Sequence, residues 1–259
     1  MNPVLMSTAK DLVPNECQSY RGPEPLVTAQ TSRFPSPATA ATNDPQGDIL
    51  AFVRQIRPHG AADLITAAAR FGAADVEKIM PLLNDPAERK AWANIVLTAG
   101  AAGDPATAGS LIAFLFDRNR DPTDIAAEQA RQQVPIALGF LAQRSDNKTA
   151  MTFLLRHGQP GAWRTYTPRT LSIGAATGME RLMASQTIEG LVMSGRPAAI
   201  AQLEADLNAL RNTGRLTLPG SVRGATSDDT VRESEMLTDA LQRAGRVQSE
   251  GLGAAYRRE

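Results

Sequence analysis

From Asp48 onward, apolar residues recur at i, i+3, i+4 and i+7, the stripe of an amphipathic helix. Ile49, Phe52, Val53 and Ile56 form the first set, then Ala61, Leu64, Ile65 and Ala68, then Val76, Ile79, Met80 and Leu83. Trp92, Ile95, Val96 and Ala99 follow, and after them Ala108, Leu111, Ile112 and Leu115. Beyond a polar insertion come Val134, Ala137, Leu138 and Leu141, then Ala150, Phe153 and Leu154. No comparable run of period-two alternation, the mark of a half-buried strand, occurs. The pattern predicts an all-α chain.

The stripes are regularly spaced. Trp92 to Ala108 and Val134 to Ala150 are each 16 residues apart, and Ala61 to Val76 is 15. Stripes therefore pair into two-helix units, each too thin to bury its own apolar face. Trp92 to Val134 and Ala108 to Ala150 are both 42 residues, while Ala61 to Trp92 is 31; the excess falls on Asp117 to Ala126. A period of this length made of helix pairs predicts an α-solenoid of stacked antiparallel pairs sharing one core.

Start signals keep the same phase. Asp85-Pro86-Ala87-Glu88 sets an N-cap, a first-turn proline and a capping-box glutamate in order. Gly103-Asp104-Pro105 and Arg120-Asp121-Pro122 repeat the cap-then-proline device, and Ser145-Asp146 and Gly195-Arg196-Pro197 take the matching place later, with Arg196 a poor cap. Gly72 and Gly158 read as helix stops. Pro135 marks a kink or a start.

In that phase, Ala99-Gly100-Ala101-Ala102-Gly103-Asp104-Pro105-Ala106 running into Leu111-Ile112-Ala113-Phe114-Leu115 resembles the short bacterial HEAT-like repeat. Leu138-Gly139-Phe140-Leu141, Ser145-Asp146-Asn147 and Phe153-Leu154-Leu155 repeat it with an insertion, Leu82-Leu83-Asn84-Asp85-Pro86 resembles a repeat exit, and Ile188 to Leu203 is a weaker match. The resemblance covers about residues 60 to 212. It implies a HEAT-like α-solenoid and scaffold or adaptor work.

Four segments follow. Residues 1–47 hold seven of the seventeen prolines and nine Ser or Thr, with no sustained apolar period, and are expected to form a disordered arm, either a plain tail or an export or docking segment. Residues 48–212 form the HEAT-like domain, and 213–227, rich in Gly, Ser and Thr, form a linker. Residues 228–259 carry a separate C-terminal helix striped by Leu237, Ala240, Leu241 and Ala244, with Thr230-Val231-Arg232-Glu233 as its candidate capping box. That helix is expected to cap the stack, a free partner-binding helix being the alternative.

Composition narrows the function. Basic and acidic residues balance at 27 each, and residues 48–214 carry 17 basic against 16 acidic, so no net field favours nucleic acid. The longest apolar run, Pro135 to Ala142, is far short of the roughly 18 residues that span a bilayer. Met1 to Lys10 lacks the basic-then-apolar order of a Sec signal, so the default expectation is a cytoplasmic protein, with a non-Sec export route left open.

The chemistry-bearing residues are sparse. Cys17, a lone cysteine in the Pro-rich arm, lacks a scaffold to lower its pKa. His59 reads as a turn histidine, and His157 as a cation complementing a helix C-terminus. Gly174-Ala175-Ala176-Thr177-Gly178 reads as helix packing or a break rather than a nucleotide loop, and no phosphate loop or His-Glu-x-x-His occurs. No catalytic residue, cofactor or metal is predicted. Asp117-Arg118-Asn119-Arg120-Asp121 reads as a solvated turn.

Trp92 lies on a core stripe. Trp163, Arg164 and Tyr166 lie in the polar segment from Gly158 to Pro168; exposed, they are the residue types that anchor interfaces, and they form the candidate partner contact. Folding of Trp163 back over the end of the preceding helix is the reading weighed ahead of that contact. The favoured function is a non-enzymatic module binding another protein. The alternatives are a HEAT-like enzyme, of DNA glycosylase or chromophore lyase type, and a self-associating structural subunit.

Overall fold

The computed structural model describes residues 48–55, 61–117, 121, 123–159, 161–166, 172–214 and 227–253. Its α-helices are α1 (Ile49–Arg54), α2 (Ala61–Ala68), α3 (Ala73–Ile79), α4 (Trp92–Ala102), α5 (Thr107–Leu115), α6 (Ile125–Gln132), α7 (Val134–Ser145), α8 (Lys148–His157), α9 (Ile173–Ser194), α10 (Pro197–Thr213) and α11 (Ser227–Glu250). Two 3-10 segments, Met80–Asn84 and Pro86–Ala91, join α3 to α4. Among the described residues there is no strand, as the periodicity predicts. Residues 1–47, with Cys17, then His59 and the greater part of the expected linker lie outside the described residues.

Two helices form the centre. In α4, nine of eleven residues are buried, and in α7 the run from Val134 to Ala142 is buried without interruption. A helix apolar on every side belongs in the interior, not on a surface with one face wet. α4 packs against α2, α6 and α7; α7 packs in turn against α9. α5 lies against α4, α7 and α8, and α10 against α8, α9 and α11.

Glycine allows the central helices to approach closely. A Cβ on Gly100 of α4 would fall 2.5 Å from the Ala137 backbone, and one on Gly190 of α9 would fall 2.3 Å from the Pro135 carbonyl oxygen. Close backbones bring more atoms into dispersion contact, and any side chain there would hold the helices apart.

Polar side chains near one turn donate to backbone carbonyls at another. Arg144 donates to the Ala101 carbonyl at 2.8 Å, and Asn147 to that of Pro105 at 2.9 Å. Arg196, which gives no side-chain cap to its own helix, instead donates to the carbonyls of Ala142 (2.8 Å) and Gln143 (3.0 Å) near the end of α7. Ala101, Ala142 and Gln143 lie in the last turns of α4 and α7, where carbonyls have no partner further along the helix, so the bonds to them satisfy orphan acceptors.

Several local expectations are corrected. α6 falls in the polar insertion, where no stripe predicts a helix: it buries Ala127 and Ala130 together with a charged pair, Arg131 to Glu128 at 3.2 Å, and leaves Ile125 exposed. Asp124 caps it by accepting from the Ala127 N–H. Gly174 to Gly178 neither break a helix nor pack closely; α9 runs through them, and a Cβ on Gly174 or Gly178 would meet nothing within 4 Å. Gly72 begins α3 instead of ending α2, its N–H donating to the Asp75 carboxylate. Glu88 reaches Arg54 of α1. Thr230 to Glu233 lie inside α11, where Glu233 is buried.

The C-terminal helix packs on α9 and α10. Leu237, Ala240, Ala244 and Val247 are buried, and Arg243 pairs with Glu189 of α9. The described residues fall in one compact unit, Ala41–Glu259.

Candidate interaction surface

The segment after α8 folds by consecutive tight turns. Ala162 donates to the Gln159 carbonyl (3.2 Å), Arg164 to that of Gly161 (3.2 Å) and Tyr166 to that of Trp163 (3.0 Å). Gly161 sits at φ 76°, the left-handed region where glycine carries no Cβ penalty. These turns direct Trp163 inward. It is fully buried, and its indole N–H donates to the Thr187 hydroxyl at 3.2 Å, which itself donates to the Met183 carbonyl at 2.8 Å.

Trp163 stands in a cluster of rings. Phe116 is stacked on it at 6.3 Å, Tyr166 meets it edge-on at 5.4 Å, and His157 lies at 4.9 Å. Tyr166 is also buried. Trp163 therefore folds back over the end of α8, the first of the two readings, and Tyr166 closes the core with it; as an exposed contact these two rings are corrected, and of the three candidate residues Arg164 stands at the surface. Phe116, 41% exposed, is the rim of the cluster that solvent reaches.

His157 differs from its expected role as well. Its ring is stacked on Phe153 at 4.0 Å and its Nδ1 lies 3.0 Å from the Phe153 carbonyl, which can only accept, so Nδ1 carries the hydrogen. Burial lowers its pKa, outweighing the hydrogen bond to the Phe153 carbonyl. The neutral ring is favoured over a cation complementing the helix end.

Two open grooves mark the surface. One, of about 790 Å³, has one wall from Ala73 to Asn84, along α3 and the following 3-10 segment, and the other from Asp104 to Asp117, along α5. Val76, Met80, Leu83 and Phe114 supply its apolar lining, and Glu77, Asp104 and Asp117 its charge; among the described residues no Lys or Arg lines it. Asp104 holds the α5 turn by accepting from the Thr107 N–H (3.0 Å) and hydroxyl (2.9 Å). Asp117 lies 3.7 Å from Arg131. The second groove, of about 670 Å³, runs between α8 and α10 and has Ala198, Ala201 and Ala205 on the α10 side.

The acids of the first groove do not stand out in the sequence, where Asp104 reads as a cap and Asp117 as a turn. The available signal is their spacing. They bracket α5, whose outward positions Ser110 and Ala113 are small and exposed.

Among the described residues, no group of three or more His, Cys, Asp or Glu is placed to hold a metal ion, and no helix is long and apolar enough to cross a membrane. No protein-family model, curated protein or solved structure matches this chain.

Proposed function

We propose that the protein is a non-enzymatic interaction module, a scaffold or adaptor built as a HEAT-like α-solenoid, whose partner is another protein. In this reading α2, α4, α7 and α9 form one row of the stack, and α3, α5, α8 and α10 the other. Two things support it: the succession of packed neighbours along the first row, and the bonds from one turn to the preceding one made by Arg144, Asn147 and Arg196. Turn-to-turn repetition of this kind is what a stack of similar units requires.

The observation that carries the functional reading is the placement of the two grooves. Both lie between members of the second row, α3 with α5 and α8 with α10. A row of helices with open furrows between them is a surface suited to holding an elongated partner.

Affinity capture with the full-length protein tests this, using Ser110→Arg in the first groove and Ala201→Arg in the second. Both positions are exposed, so each substitution adds bulk without opening the core. The reading expects one protein retained in stoichiometric amount by the wild type and lost with one of the two variants. Capture of nucleic acid alone, released as salt rises, would overturn it.

A further inference from the structure

We draw no further inference here: the strongest candidate, the face of the first half of α9 on which Gly174 and Gly178 meet nothing within 4 Å and Leu182 is 37% exposed, is a stretch of apolar and small residues with nothing in the structure to show what covers it.

Discussion

Gly139 of α7 and Gly190 of α9 face each other so closely that a Cβ on Gly139 would lie 2.2 Å from the Gly190 carbonyl oxygen. The obstacle is backbone, so no side-chain rotation relieves it. Gly139→Ala is expected to force α7 and α9 apart and to destabilise the protein by about 1–3 kcal/mol or more, the usual cost of overpacking. Gly109→Ala is the control. Gly109 is exposed in α5 and a Cβ there meets nothing within 4 Å, so helix propensity should make that change stabilising by up to about 1 kcal/mol. Urea unfolding of the two variants reads the difference, and a Gly139→Ala as stable as wild type would contradict the close approach.

Trp163→Ala should be among the most destabilising single changes, since it empties a fully buried site and leaves Thr187 without its indole donor. Loss of about 3–5 kcal/mol is expected for such a truncation. Arg164→Ala, at the surface beside it, should change stability by about 0.5 kcal/mol or less. Chemical denaturation of both variants separates a core role for Trp163 from a purely surface one.

How much of this is legible in the chain differs from element to element. Ile95, Val96 and Ala99 announce α4 by their spacing, because a helix with a packed stripe must repeat near 3.6. α6 leaves no such trace: what it buries is two alanines and the Glu128–Arg131 pair, and a buried ion pair looks in sequence like a solvated one. Trp163 and Tyr166 sit in a polar, irregular segment, which locally reads as surface. Their burial is decided by Phe116 and Thr187, distant in sequence, so no window around residue 163 contains the answer. The acidic groove is likewise a property of two walls that are separate in sequence, residues 73–84 and 104–117.

Arg196 ties the start of α10 to the end of α7 through two carbonyls. Arg196→Ala leaves both acceptors short of a donor and should destabilise by about 1–3 kcal/mol. Arg196→Lys should restore part of this, since an ammonium lacks the planar fork that serves two acceptors at once. Amide hydrogen exchange should rise in the first turn of α10 and around Asp146, which lies 3.5 Å from the same guanidinium.

Asp206 on α10 gives the protein a pH dependence whose sign can be worked out. Burial, with the negative charge of Glu233 on α11 adding to it, pushes its pKa up from 3.8 to about 6, against the opposing hydrogen bond from Gln202. The folded state therefore holds the proton more tightly than the unfolded one. Its stabilising contribution is present below about pH 4 and is lost as pH rises through about 6. Asp206→Asn removes the ionisable group while keeping a polar side chain beside Gln202. The variant should melt at a higher temperature than wild type at pH 7.5, and that advantage should shrink to nothing near pH 4. His157 contributes in the opposite sense, since burial lowers its pKa and its protonation destabilises the fold as pH falls below the unfolded value near 6.5. Because both proteins carry His157, the difference between their melting curves isolates Asp206.

The docking of α11 depends on an apolar stripe and on the pair between Arg243 and Glu189 of α9, with Asp239 of α11 a second partner at 3.5 Å. Both members of the pair are about three-quarters shielded, their side chains 20% and 25% exposed, so breaking it leaves a charge in partly desolvated surroundings. Arg243→Glu should weaken the docking, since it sets two carboxylates against each other and a third beside them. A hydrogen bond between charged groups is worth about 1.5–3 kcal/mol, and the reversal should cost at least that much. The double exchange, Glu189→Arg with Arg243→Glu, restores an ion pair in the opposite sense and should recover part of the loss. Recovery will be incomplete because the guanidinium, moved to α9, then lacks the interaction that Asp239 gives to Arg243. Hydrogen exchange over α11 reads the effect where it arises: protection at Ala240 and Ala244 should fall in the single variant and return in the double one. Equal protection in wild type and Arg243→Glu would show that Leu237, Ala240, Ala244 and Val247 hold the helix without the ion pair.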